Sequence, residues 1–281
     1  MAGTETRAGG TIAQLAALVG RTLAQSRRML AGVLLVLVAF QLALVLQASS
    51  YQEARTFDQL AAIVPGYIQR GLGSAFSVFA SFEGMVLMGF YHPIVMLMLA
   101  VVAISFASEP AHEVEQSLVD LVLARPVSRR TVLLRSAIVM AASVAILLVL
   151  ESVAFAAAVR LFAPPRSPVP GPTTVALLAV HLTAVAWCFG ALSLAIASRA
   201  RRRVTAVGSA SIAAVALFMI DLLSISWAPA RSIAWLSPFH YYSWTGIVTG
   251  TAQPLANLAV LWAATAAMIA LADWNFQRRD L

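Results

Sequence analysis

The sequence predicts an all-α integral membrane protein, with six transmembrane helices and both termini in the cytoplasm. Three observations carry that prediction. First, 60% of the 281 residues are apolar and only 11% are charged, against about 25% charged in an ordinary soluble domain. One soluble core of this size has no room for so much apolar surface. Second, six apolar stretches are each long enough to cross about 30 Å of hydrocarbon at about 1.5 Å per residue. Third, the basic residues gather beside the ends of those stretches, mostly on one side of them. The formal charge of +7 is carried by 19 arginines, with no lysine. Placed at span ends, they are a topology signal and not a nucleic-acid-binding face.

Residues 1–10 are small and polar. Over 11–28, Ile12, Leu15, Val19 and Leu23 recur at spacings of three or four, with Gln14, Arg21, Gln25 and Arg28 elsewhere. This is the pattern of an amphipathic helix lying on the inner membrane surface; direct continuation of the first span is the other reading. The chain therefore divides into a cytoplasmic tail with an interfacial helix, 1–28, and a six-helix membrane domain, 29–281. The opening residues lack the small-residue cleavage site of a signal peptide. The spans are expected at 30–47, 84–107, 136–159, 174–198, 204–226 and 255–272. With the N-terminus inside, only Arg55, Arg70, Arg160, Arg166 and Arg231 fall outside, which leaves 14 of the 19 arginines in the cytoplasm. That ratio sets the orientation.

The outer segments differ from one another. Residues 48–83 hold an amphipathic stretch, 51–64, and then a Pro65-Gly66 break. Residues 161–173 hold five prolines and need no regular structure. Residues 227–253 carry Trp227, Trp235, Phe239, Tyr241, Tyr242 and Trp244. Tryptophan and tyrosine favour the headgroup layer, so this segment is expected to be interfacial or re-entrant. Ala206, Ala210 and Ala214, and likewise Ala137, Ala141 and Ala145, repeat every fourth residue in the manner of close helix contacts, although in so alanine-rich a chain chance explains the pattern equally well.

The segment 107–135, between the second and third spans, is the most informative for function. Val114, Leu118, Leu121 and Val122 share one helical face, while Glu113, Glu115, Gln116 and Asp120 lie largely elsewhere. Pro126 ends the helix, because the residue before a proline is pushed out of helical geometry, and Ser128 is placed to cap the third span. The exposed apolar stripe needs a partner, either lipid or protein.

Here the chain resembles a family. Glu115, Asp120, Leu121, Leu123, Pro126, Val127, Ser128 and Arg129 look like the first cytoplasmic loop of type-2 ATP-binding-cassette permeases, the membrane subunits of exporters. Trp235-Leu-Ser-Pro-Phe-His-Tyr-Tyr242 resembles the segment before their last span, and Phe276-Gln-Arg-Arg-Asp-Leu281 their usual ending. Ser117-Leu118 and Arg125 depart from the family pattern, which often has Gly-Thr and an apolar residue there. The resemblance implies that 113–123 is a coupling helix seated on a separate ATPase subunit, through Glu113, Glu115, Leu118, Asp120, Leu121 and Pro126. It also implies that 11–28 touches that ATPase, and that two permeases and two ATPases form the working unit in a bacterial plasma membrane. ATP and magnesium would be bound by the partner. This chain has no lysine for a phosphate-binding loop, so no cofactor is expected on it.

Three ionisable residues inside spans require a reason, since burying a charge in lipid costs at least about 2.5–3.5 kcal/mol. Glu151 and His181 fall at similar depth, about 12–14 Å from the outer ends of adjacent spans, and are close enough in depth to meet. Asp221 lies nearer the outer surface, within reach of water or Arg231. The functional reading is a polar cluster in the translocation path; the structural reading is a hydrogen-bonded pair between the third and fourth spans. His92-Pro93 interrupts the second span as either a hinge or a static bend. Membrane-embedded enzymes and ion-coupled carriers are the competing classes. None of the four histidines lies in an H-E-x-x-H arrangement, no G-x-S-x-G is present, and no metal site is predicted. Cys188 lacks a partner cysteine, and no internal repeat of the carrier type is evident.

Overall fold

The computed structural model describes residues 2–72, 74–116 and 129–278, and every element among them is helical. The first helix, α1 (Ala2–Glu53), runs for 52 residues, about 78 Å at the usual rise. The helix expected over 11–28 is present, but it is not a separate element. It passes into the first span without a break, because 11–47 contains no proline and the chain between Arg28 and Gln47 offers no cap or turn. Leu37, Gln41, Leu44, Val45 and Ala48 form its buried stripe, at the three-to-four spacing of one helical face.

The first outer segment folds as α2 (Thr56–Ile63), α3 (Gly66–Leu72) and α4 (Ser74–Phe79). The amphipathic stretch expected over 51–64 is divided between the end of α1 and α2, and Arg55 makes the turn at a φ of 54°. Pro65 breaks the chain where expected. The second span is the least regular. It is built from α5 (Phe82–Val86), α6 (Met88–Tyr91) and α7 (Pro93–Ala107), and is followed by α8 (Glu109–Glu115) at an angle of 42°. Ser81 caps α5 by accepting the Gly84 N–H at 3.0 Å. Gly84 is required there, since a Cβ would stand 1.7 Å from the Val78 carbonyl oxygen.

The remaining spans are single helices: α9 (Arg129–Phe162), α10 (Pro172–Ala197), α11 (Arg203–Ser224) and α14 (Pro254–Gln277). Between the last two lie α12 (Ala228–Ile233), two 3-10 turns and α13 (Trp244–Thr249). Five helices are long and apolar enough to cross a membrane singly, and six crossings result when the bent α7–α8 pair is counted. The protein is thus a multi-pass membrane protein. α10 is the central post, packed against α7, α9, α11 and α14. α11 is peripheral, and its buried residues are Ala206, Ala210 and Ala214 alone. The alanine stripe is therefore its contact face, where small side chains let helix backbones approach. On α9, Ala137 is buried and Ala141 and Ala145 are half-buried.

Candidate functional site

At one end of the bundle, the seven residues of α8 join three spans. Its carboxylates fall at positions 109, 113 and 115, so they point in different directions around a short helix. Glu109 pairs with the Arg203 guanidinium at 3.0 Å. Glu113 pairs with Arg135 of α9 at 2.8 Å, and both side chains are largely buried. Glu115 accepts the backbone N–H of Arg203 at 2.9 Å. The same Arg203 donates to the Ser108 hydroxyl and to the Ser105 carbonyl, both at 3.2 Å.

The helix ends explain why this works. Arg203 opens α11, whose first N–H groups lack intrahelical partners and carry partial positive charge, so the Glu115 carboxylate is stabilised there. Ser105 lies in the last turn of α7, where unpaired carbonyls favour a cation. One residue therefore caps the end of α7 with its side chain and receives the cap of α11 with its backbone. The result is a charged clamp that fixes α8 to α7, α9 and α11.

The site residues expected from the sequence fall in three groups. Glu113 and Glu115 belong to this clamp and are engaged by the chain's own Arg135 and Arg203, Glu113 largely buried and Glu115 exposed. Leu118, Asp120, Leu121 and Pro126 lie outside the described residues, in the segment that leaves α8 and returns at α9. Within the membrane, Glu151 and His181, close enough in depth to meet, are not hydrogen-bonded to each other. Spacing along a helix gives depth but not the direction around the axis that each side chain takes. Glu151 of α9 is fully buried and faces α1 and α6, where neither carboxyl oxygen has a partner. A Cβ on Gly89 would lie 3.3 Å from Glu151 Oε1 and 1.8 Å from Gln41 Oε1. Gln41 is oriented by donating to the Val86 carbonyl at 2.8 Å, which leaves its own oxygen unpaired beside the carboxyl. That oxygen and the Glu151 carboxyl therefore both lie beside Gly89.

His181 of α10 faces the start of α14 instead. Its Nδ1 is 2.7 Å from the Leu177 carbonyl and its Nε2 is 3.1 Å from the Pro254 carbonyl. A neutral imidazole donates to only one of the two. Asp221 does not meet Arg231 either. It lies 3.8 Å from His240, while Arg231 donates to the Ser224 and Ile225 carbonyls at the end of α11.

A family model described as ABC-2 family transporter protein matches residues 20–281. The chain belongs to the ABC-2 transporter family. Membership places it among the membrane permease subunits of ABC transporters. No curated protein sequence matches it.

In this permease, His92-Pro93 is a true break. His92 is extended (φ −66°, ψ 132°) and caps α7, with its Nδ1 accepting the Ile94 N–H at 3.3 Å. The Phe90 carbonyl, thereby left without the helical Ile94 donor, accepts the buried Tyr242 hydroxyl at 2.8 Å. Tyr91 stacks on Trp244 at 4.1 Å. The aromatic segment before α14 is thus docked into the gap that Pro93 opens. Phe239 and Tyr242 are buried, whereas Trp227 and Trp235 stay exposed, so only part of this segment remains available to the membrane interface.

Sequence reasoning missed Glu109, Ser108, Arg135 and Arg203. Only part of their signal was local: two glutamates four apart and an arginine near the start of the following span, whereas Arg203 lies at the start of α11. The topology count absorbed those arginines.

Proposed function

We propose that the chain is the membrane half of an ATP-driven exporter, and that the α8 clamp carries force from a separate ATPase subunit into the spans. The clamp is the observation that carries this reading. A push on the segment after α8 reaches α7 through Ser108, α9 through Glu113–Arg135 and α11 through Arg203. Leu118, Asp120, Leu121 and Pro126 belong to the surface that meets the ATPase, while Glu113 and Glu115 transmit and do not contact it. Both termini and the clamp face the cytoplasm, in keeping with the arginine distribution. Two permeases and two ATPases complete the unit in the cell membrane, and ATP and magnesium are held by the ATPases. His92-Pro93 serves as the hinge of the second span. Glu151 and His181 shape the outer half of the bundle, with Glu151 closing on Gln41 and His181 on the start of α14. Asp221 is held toward His240 at the outer end of α11.

The test is ATP-dependent uptake of fluorescent amphiphiles by vesicles holding this chain, with and without the ATP-binding chain that copurifies with it. Uptake is expected only with both chains and ATP. Uptake by this chain alone, driven by an ion gradient, would identify a carrier and overturn the reading. An Arg203→Gln variant is expected to keep ATP hydrolysis and lose uptake.

A further inference from the structure

An apolar groove runs down the outside of the bundle between α9 and α10, from Arg160 and the 169–172 lip to Trp187 and Trp262. Its volume is about 820 Å³, within the usual range of about 300–1,000 Å³ for small-molecule sites. Arg160 to Ala145 spans about 22 Å of helix, the depth of one leaflet's hydrocarbon, about 15 Å, plus part of its headgroup layer. Arg135, in the charged clamp, lies about 37 Å from Arg160 along the same helix. The groove therefore opens at the opposite membrane face.

The walls offer a ligand almost nothing polar. Val149 and Val153 are each 61% exposed. The Ser152 and Thr183 hydroxyls donate to their own helices at Leu148 and Ala179, and the Trp187 N–H donates to the Ala141 carbonyl. Arg160 is the one charged residue among the described lining residues. It is exposed at the mouth and has no ion-pair partner among the described residues.

We propose that this groove binds an anionic glycerophospholipid of the leaflet on Arg160's side, with an acyl chain along the valine and alanine walls and the phosphate on the Arg160 guanidinium. A long apolar wall ending in a single cation at headgroup level is complementary to a long chain headed by a single anion. The planar guanidinium matches phosphate with paired hydrogen bonds. A peptide would leave its backbone groups unpaired against these walls, and a second copy of this chain would have to desolvate Arg160 without a partner. The site is independent of how transport is powered.

The test uses the full chain in nanodiscs containing equal amounts of phosphatidylglycerol and phosphatidylcholine, with retained lipid read by native mass spectrometry. The wild type is expected to retain phosphatidylglycerol preferentially. Arg160→Gln should lower that retention about fivefold. Ala156→Trp, which fills the groove, should abolish it, while Ile212→Trp on the exposed face of α11 should leave it unchanged. Equal retention of the two lipids by the wild type overturns the proposal, as does wild-type retention in either Arg160→Gln or Ala156→Trp. Efficient disulfide dimerisation of Val153→Cys would also overturn it, by showing that a second copy covers the groove.

Discussion

The two ends of this permease are held together by opposite means. At the α8 end the contacts are ionic: Glu109, Glu113 and Glu115 are matched to Arg203, Arg135 and a helix N-terminus. At the other end, apart from Asp221 beside His240, they are neutral and aromatic: a Tyr242 hydroxyl on the Phe90 carbonyl, Tyr91 stacked on Trp244, and Phe239 packed between Phe189 and Phe218. The difference follows from solvent and from task. The partly exposed pair of Glu109 with Arg203 is adjustable, since water can replace either partner. Aromatic contacts docked into a broken helix depend on shape, and a small displacement loses them. Under the proposed function the first end receives a movement and the second keeps its shape.

That contrast is broken most severely at the buried member of the ionic end. Arg135→Met leaves Glu113 desolvated and unpaired, and is expected to cost about 3–5 kcal/mol, read as a large loss of thermal stability in detergent. The double variant Arg135→Met with Glu113→Met should recover most of it. At the neutral end, Tyr242→Phe removes a donor from the buried Phe90 carbonyl, with an expected cost of about 1–3 kcal/mol. High salt should not change that cost. Arg203→Gln should cost less, about 1 kcal/mol, because the pair with Glu109 is partly exposed. Its effect should shrink further as salt is raised. Smallest of all, Glu151→Gln should leave the unfolding temperature nearly unchanged, because an amide fills the same buried space with no charge to desolvate. A large destabilisation there would show that the ionised carboxylate is needed.

The helical crossings were readable in the sequence because a membrane span is a property of one segment: its apolar length decides it, and neighbours matter little. The break at His92-Pro93 was readable in the same way, whereas Ala206, Ala210 and Ala214 could not be told from chance in so alanine-rich a chain until their burial on α11 was seen. Sequence reasoning failed where direction around a helix decides the outcome. Glu151 and His181 share a depth but face different neighbours, and Asp221 meets His240 and not Arg231. The clamp was half legible. Glu113 and Glu115 stood out as charged residues in an informative loop, but Arg135 and Arg203 come from 20 and 88 residues further along than Glu115, and no local pattern joins them. Buried Tyr242 was read as an interfacial aromatic, since sequence alone does not reveal that Phe90 would lack a helical donor.

Deletion of 117–124, with α8 and its three partners kept intact, separates docking of the ATP-binding chain from folding of the permease. The measurement is copurification of the ATP-binding chain with the full-length and deleted permeases, each first shown to unfold at the same temperature. The deleted permease is expected to lose the ATP-binding chain while staying folded. Copurification at the full-length level would contradict the proposed docking.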